Sequence, residues 1–260
     1  MGTVRNISYV NRKEDSLTTA LNRKTKEFNT FVYKASHDIR GPLASIIGLA
    51  NLASSEIDHK ESLAYFNMIA DCARQLDKTL QELLQVSAIG LGEVNVQKVN
   101  IADLTKNIFN RFSAIGQLEN IVVHTKFNDI HFIHTDSRLL QLSLQYLIDN
   151  SIKYCNQNNR EAFIQLQVNP CGQGIEIEIA DNGIGIAPLV QNRIFEMFFR
   201  GTEMSKGAGL GLYIANKLIQ KLGGHISFQS KHMEGSVFKV YLPVTEAQKL
   251  NTVKEAAYII

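Results

Sequence analysis

His37 sits in the run Ala-Ser-His-Asp-Ile-Arg-Gly-Pro-Leu, residues 35–43, beside an acid and close to a base, just ahead of a helix-distorting Gly-Pro pair. An imidazole in that setting reads as a phosphate acceptor, because its neutral form is a usable nucleophile near pH 7. Alone, it would read more safely as an ordinary surface histidine. Motifs in the later part of the chain change that balance, since they supply what a phosphate acceptor needs.

Asp136 to Tyr154 reads as a helix with two separable faces. Leu140, Leu144, Leu147, Ile148 and Ser151 follow core-facing spacing, whereas Tyr146, Asn150, Lys153 and Tyr154 lie on roughly the opposite side. Such a face is usually only solvated. Here its amide oxygen is a hard ligand for Mg²⁺, its amine can meet phosphate charge and its phenol offers a stacking surface. Asp181-Asn182-Gly183-Ile184-Gly185 follows a candidate strand. A carboxylate there can accept from an exocyclic amine, and the glycines let main chain approach a ligand; a plain turn is the alternative. Gly207-Ala208-Gly209-Leu210-Gly211-Leu212 opens a further helix, whose first N–H groups can hold phosphate oxygens against the positive end of the dipole. Between these motifs, Phe195 to Arg200 precedes a Gly- and Ser-containing stretch ending at Lys206. It reads as an anchored lid over phosphates, or else as three core aromatics. His131 and His134, close to Asp136, read as a strand and turn leading to a helix cap rather than as metal ligands.

These residues need a scaffold, and the hydrophobic pattern supplies it. Ser16 to Phe31 carries a sparse helical stripe, a lead-in. From Phe31 to Ala53, Val32, Ala35, Ile39, Ile46, Leu49 and Ala53 mark a long amphipathic helix. After a polar break at Ser55 to Lys60, Leu63, Phe66, Ile69, Ala73, Leu76, Leu80, Leu83 and Leu84 mark a second. Two long helices on a short loop form a hairpin. One hairpin cannot cover its own stripe, so the pattern predicts a homodimer closing a four-helix bundle.

The texture changes after Gly90-Leu91-Gly92, placing a domain boundary near residues 90 to 95. Candidate strands follow at Val96 to Ile101, Ile121 to Phe127, Phe163 to Val168, Gly174 to Ala180, His225 to Gln229 and Ser236 to Leu242. Candidate helices are Ile101 to Leu118, Asp136 to Tyr154, Pro188 to Phe195 and Gly209 to Leu222. The order predicts one mixed sheet with helices on one face. From Thr245 onward the tail is weakly helical.

Bulk properties narrow the partners. The 260 residues carry a net charge of +2 with no basic run interleaved with aromatics, which argues against nucleic acid. Cys72, Cys155 and Cys171 form no CxxC pair, as in reduced thiols rather than a disulfide framework or a zinc site. The longest uncharged run, Gly41 to Ser55, is too short and too polar for a membrane span. Without a signal-peptide pattern, the chain reads as cytoplasmic, or as the cytoplasmic part of something longer.

With these pieces in order, residues 28 to 245 resemble sensor histidine kinases of two-component systems. His37 to Leu43 is similar to their H box, Asn150 to Tyr154 to the N box and Asp181 to Gly185 to the G1 box. Phe195 to Arg200 resembles the F box and Gly207 to Leu212 the G2 box. The resemblance implies an α+β multidomain chain. Residues 1–27 form a lead-in or linker, 28–90 a dimerisation and histidine phosphotransfer hairpin, 95–245 an ATP-binding α/β sandwich of the histidine-kinase and gyrase type, and 246–260 a tail.

It further implies that His37 attacks the γ-phosphate of ATP, and that the phosphoryl group passes to an Asp on the receiver domain of a response regulator. Asp38 would accept the other ring proton of His37, although neighbours on a helix share no face and it must reach sideways. Pro42 makes room, since it cannot donate to the carbonyl of Asp38 and bends the helix there. Asn150 would hold Mg²⁺, Asp181 would read the adenine amine and Tyr154 would flank the base. Lys153, Arg200 and Lys206 would face phosphates. Gly183 and Gly185, with Gly207, Gly209, Leu210, Gly211 and Leu212, would complete the nucleotide site.

Two positions depart from the family pattern. Tyr146 stands where a second Asn is usual, four residues before Asn150. Gly41 stands where many members carry Thr or Asn to orient a water that dephosphorylates the regulator, which implies weak phosphatase activity. The rival readings are a dimeric scaffold that binds ATP poorly, motivated by Tyr146, and an ATPase whose cycle drives conformational change.

Overall fold

A computed structural model describes residue 32 and residues 39–55, 60–89, 93–128, 130–155, 161–201 and 208–243. His37, Asp38, Lys206 and Gly207 lie outside the described residues, as do the lead-in 1–27 and the tail 246–260. The chain divides into two compact units, Met1–Leu91 and Gly92–Ile260.

In the first unit, α1 covers residues 39–55 and α2 is Lys60–Ile89. Leu43 of α1 packs with Ala73 and Leu80 of α2, and Ile47 leans on this cluster. Small residues, Ala50 and Ala70, are also buried. Arg40 Nε lies 3.4 Å from Asp77 Oδ1, an ion pair between the two helices. Much of the predicted stripe remains on the surface: Ile39, Ile46 and Leu49 of α1 and Ile69 and Leu76 of α2 are exposed, Leu49 by 67%.

The second unit is built on a five-stranded sheet in the order β2-β4-β5-β7-β6. Its strands are β2 Ile121–Phe127, β4 Ala162–Cys171, β5 Gly174–Asp181, β6 His225–Lys231 and β7 Gly235–Pro243. β2 and β4 run parallel, and the other neighbours pair antiparallel. The expected strand at Val96 to Ile101 does not join this sheet. As β1, Gln97–Asn100, it pairs with β3, Phe132–Thr135, in a separate two-stranded ribbon. Four-residue strands with exposed outer positions give little alternation from which to read a sheet. His134 lies in β3 opposite Lys98, and His131 O accepts from Ile101 N at 3.1 Å, so both histidines belong to the ribbon and its approach.

Three helices pack on the sheet: α3 Ile101–Ala114, α4 Ser137–Tyr154 and α5 Gly211–Lys221. Asn100 caps α3, its side chain accepting from Ala102 N and Asp103 N at 3.0 and 3.2 Å. That helix stops short of the expected Leu118 because Gly116 turns left-handed, φ +72°, and main-chain bonds from Gly116 and Gln117 close its last turn. Asp136 is the cap of α4 rather than its first residue. One oxygen accepts from Leu139 N at 3.0 Å and the other from Asn95 N at 2.9 Å.

The core follows the two periodicities. Ile164, Leu166 and Val168 on β4, Ile177 and Ile179 on β5 and Val240 on β7 are fully buried, as are Leu140, Leu144, Leu147 and Ile148 on α4. On the opposite parity of the sheet, Lys239 Nζ lies between Glu176 and Glu178, 3.5 and 3.1 Å away. Pro188 to Phe195, expected as an α-helix, is a 3₁₀ helix over Pro188–Arg193 with no buried residue. Six residues cannot repay α-helix nucleation without an apolar face, and Pro188 presets only the first turn.

Candidate functional site

Asp181, its glycine turn and Ser151 meet at the ends of α4 and β5. Asp181 has the same parity as Ile177 and Ile179, so the pleat carries its side chain to the helix side of the sheet. Ser151, four residues after Leu147, lies on the inward face of α4. The two meet: Ser151 Oγ donates to Asp181 Oδ2 at 3.1 Å, while Gly183 N donates to Asp181 Oδ1 at 2.9 Å. Asp181 is 8% exposed. Burial pushes its carboxyl above the ordinary value, and the bonds from Gly183, Ser151 and the main chain of Ser236 pull it back only in part.

The turn after Asp181 is pressed against the end of α4. Ile184 N donates to Tyr154 O at 3.0 Å, and a Cβ on Gly183 would lie 2.1 Å from that oxygen. A Cβ on Gly185, at φ +61°, would lie equally close to Lys231 O. The exit of the turn is tied to β6, with Ile186 N donating to Ser230 Oγ at 2.8 Å and Gln191 Nε2 donating to Ile186 O and Ser230 O at 2.9 and 3.1 Å. Asn182 belongs to the scaffold. Its Oδ1 accepts from Phe163 N and its Nδ2 donates to Glu161 O, each at 3.0 Å, joining the turn to the start of β4.

The second glycine motif approaches α4 and the aromatic segment together. Gly209, φ +72°, comes so near the main chain of Phe198 and Phe199 that a Cβ would stand 2.5 Å from Phe199 O. This delays the start of α5 to Gly211, with Leu210 as its cap and no side-chain hydrogen bond on the cap. A Cβ on Gly211 would lie 3.2 Å from Tyr146 Cδ1, so the unusual tyrosine lies directly against the start of α5. Leu210 is fully buried and Leu212 packs on the core.

The aromatic segment divides its work. Phe195 and Phe199 lean on the core, Phe195 edge-on to Phe228 at 5.9 Å and Phe199 under the Arg193 guanidinium at 4.4 Å. Phe198 holds a left-handed backbone, φ +62°, with its side chain 53% exposed. Asn150 and Tyr154 are half-buried on α4. Lys153, expected to face phosphate, is exposed and pairs with Asp149 one turn back. Arg200 is exposed at the end of the aromatic segment.

The structure thus brings Asp181 and Gly183 to Ser151 and Tyr154 at the end of α4, sets Gly185 against Lys231, and places Gly211 against Tyr146 on the same helix and Gly209 against Phe198 and Phe199. Sequence spacing placed Ser151 in the core without signalling that its hydroxyl bonds the carboxylate. Ser230 and Gln191, which hold the turn, carried no signal at all. Among the described residues, no three His, Cys, Asp or Glu side chains cluster in a way that could hold a metal. No described helix is long and apolar enough to cross a membrane.

Comparison with known proteins adds two family matches. Residues 135–246 match the histidine kinase-, DNA gyrase B- and HSP90-like ATPase family, and residues 29–92 match the His Kinase A (phospho-acceptor) domain. The autoinducer 2 sensor kinase/phosphatase LuxQ of Vibrio vulnificus is 29% identical over 84% of this chain and 27% of its own length. The sensor-like histidine kinase SenX3 of Mycobacterium tuberculosis is 30% identical over 82% of this chain and 53% of its own. The chain therefore spans between about a quarter and a half of these curated relatives. The crystal structure of full-length ShkA in complex with AMPPNP has the same fold, with a TM-score of 0.67 at 23% identity, covering 82% of this chain and 45% of ShkA.

Proposed function

The chain belongs to the sensor histidine kinases of two-component systems, and from that premise we propose that it is an ATP-dependent autokinase acting on its own His37. The phosphoryl group then passes to an aspartate on a response-regulator receiver domain. One observation carries the nucleotide half of this proposal: a buried carboxylate, Asp181, lies where the end of α4 presses on the glycine turn. Against Tyr146 on the same helix α4, α5 starts without a side-chain cap. Such a carboxylate accepts from the amine of adenine, and the open helix start suits phosphate.

In the proposed step a neutral nitrogen of His37 attacks the γ-phosphorus. The bond to the β–γ bridging oxygen breaks and ADP leaves with that electron pair. Asp38 holds the proton on the other ring nitrogen. Placement and charge neutralisation are the protein's main contributions. Tyr154 flanks the base, and Lys153, Arg200 and Lys206 are the proposed cations of the phosphate region. Asn150 offers one hard amide oxygen, which fits a magnesium ion completed by phosphate oxygens and water. When bound, that ion neutralises phosphate charge.

We assign phosphotransfer and dimerisation to residues 28–90, ATP binding to 95–245, and a cytoplasmic setting where ATP and regulator meet. The exposed Ile46, Leu49 and Leu76 support a homodimer, in which a second hairpin covers them. Tyr146 against Gly211 favours a second reading, a dimeric scaffold with impaired ATP binding.

Radiolabelled γ-phosphate separates these readings. The autokinase gives acid-labile, base-stable label on the wild type and none on His37→Gln. Absence of nucleotide binding sinks it in favour of the scaffold. Free phosphate without labelled protein would indicate an ATPase.

A further inference from the structure

We propose that Ser151 is a positioning residue for base recognition: its hydroxyl fixes the Asp181 carboxylate so that the site prefers a 6-amino purine over a 6-oxo purine, an inference that rests on the ATP-binding reading above. Ser151 is 2% exposed on a helix face shared with Leu140, Ser143, Leu144, Leu147 and Ile148. A buried hydroxyl must find a partner, and on a helix it usually takes a carbonyl one turn back. Ser143 on the same helix does so, donating to Leu140 O at 2.8 Å. Ser151 instead reaches across the sequence to Asp181 Oδ2 at 3.1 Å.

With Gly183 N on Oδ1 at 2.9 Å, each carboxylate oxygen has a donor, and the main chain of Ser236 adds a further hydrogen bond, so the group cannot rotate without breaking a bond. The donors come from three elements, α4, the turn and β7. Of the roughly four lone-pair sites of a carboxylate, this leaves about one for a ligand donor. An amine at the purine 6-position supplies that donor. A 6-oxo group presents a second acceptor and is rejected, because the buried carboxylate would be left facing it unpaired. Loss of the hydroxyl frees one oxygen to turn away, which weakens the contact to the amine and leaves the poor contact to the oxo group as poor as before.

The test compares magnesium ATP with magnesium inosine triphosphate by calorimetry on the full chain. Ser151→Ala is expected to lower ATP affinity about tenfold with inosine triphosphate affinity unchanged, so the preference falls about tenfold. Ser151→Thr, which keeps the hydroxyl, retains the preference. In an Asp181→Asn background, Ser151→Ala has no further effect on it. A preference within about twofold of wild type in Ser151→Ala overturns the inference, and so does an equal loss of both nucleotides, the mark of a merely structural role. Failure of the wild type to bind ATP would instead overturn the ATP-binding reading itself, a result distinct from either.

Discussion

The main-chain oxygen of Tyr154 lies 2.1 Å from where a Cβ on Gly183 would stand. The same oxygen accepts from Ile184 N at 3.0 Å, so the end of α4 and the glycine turn share one hydrogen-bonded seam. Helix and turn cannot move independently, and the carboxylate of Asp181 is set at their junction.

Gly183→Ala therefore forces the turn off α4, because its new methyl meets main chain rather than a flexible side chain. Destabilisation of about 1–3 kcal/mol is expected, with ATP binding falling below detection in calorimetry. Unchanged ATP affinity would show that the seam does not shape the site.

Asp181→Asn should weaken ATP binding without lowering stability. Burial raises the folded carboxyl above its ordinary value, so its ionised form costs stability once pH exceeds that raised value. The penalty disappears as pH falls through the folded value toward the unfolded one, where both states are protonated. Asparagine carries no charge to bury, so the variant should melt no lower than wild type at pH 8, and its relative advantage should shrink in acid. ATP affinity should drop by about 10- to 150-fold, the scale of a hydrogen bond to a charged group. A melting deficit that grows with pH would contradict this account.

Tyr146→Asn supplies the amide usual in the family and clears the start of α5, now 3.2 Å from the ring at the position of a Gly211 Cβ. The rate of histidine labelling should rise about tenfold if Tyr146 impairs nucleotide binding. A fall in labelling at saturating ATP would show that the ring has a constructive role.

Gly41 lies on α1, and a Cβ there would meet nothing within 4 Å. Gly41→Thr should leave the hairpin folded and speed loss of phosphate from a receiver domain by about tenfold, the rate equivalent of one oriented hydrogen bond. Rapid dephosphorylation by the wild type would remove the basis for this prediction.

Leu49 is 67% exposed in the hairpin, so Leu49→Asp should barely alter the stability of one protomer. In a symmetric pair each substitution acts twice, and losing about 1.5–3 kcal/mol per leucine weakens association roughly 10²- to 10⁴-fold. Sedimentation would show a shift to monomer. A sedimentation profile unchanged from wild type would remove Leu49 from any interface between copies.

Much of this fold could be read in one dimension because its signals are local. The inward alternation of Ile175, Ile177 and Ile179 and the stripe of Leu140, Leu144, Leu147 and Ile148 announced β5 and α4, and their periods follow from backbone geometry alone. The Asp136 cap and the two glycine motifs were equally local. What the spacing could not give was pairing. The short β1 and β3 form their own ribbon, which depends on a partner more than thirty residues away. The Pro188 segment lacked the length to choose α over 3₁₀ geometry.

The candidate site shows the same division. Residue types at Asp181, Gly183 and Gly211 fixed what chemistry was available, because charge, acceptor capacity and the absence of a Cβ are intrinsic to each residue. Only the tertiary structure joined Ser151 to Asp181 and committed Asn182 to β4. A hydrogen bond exists only when donor and acceptor come within about 3 Å, and that distance is set by how helix and sheet pack.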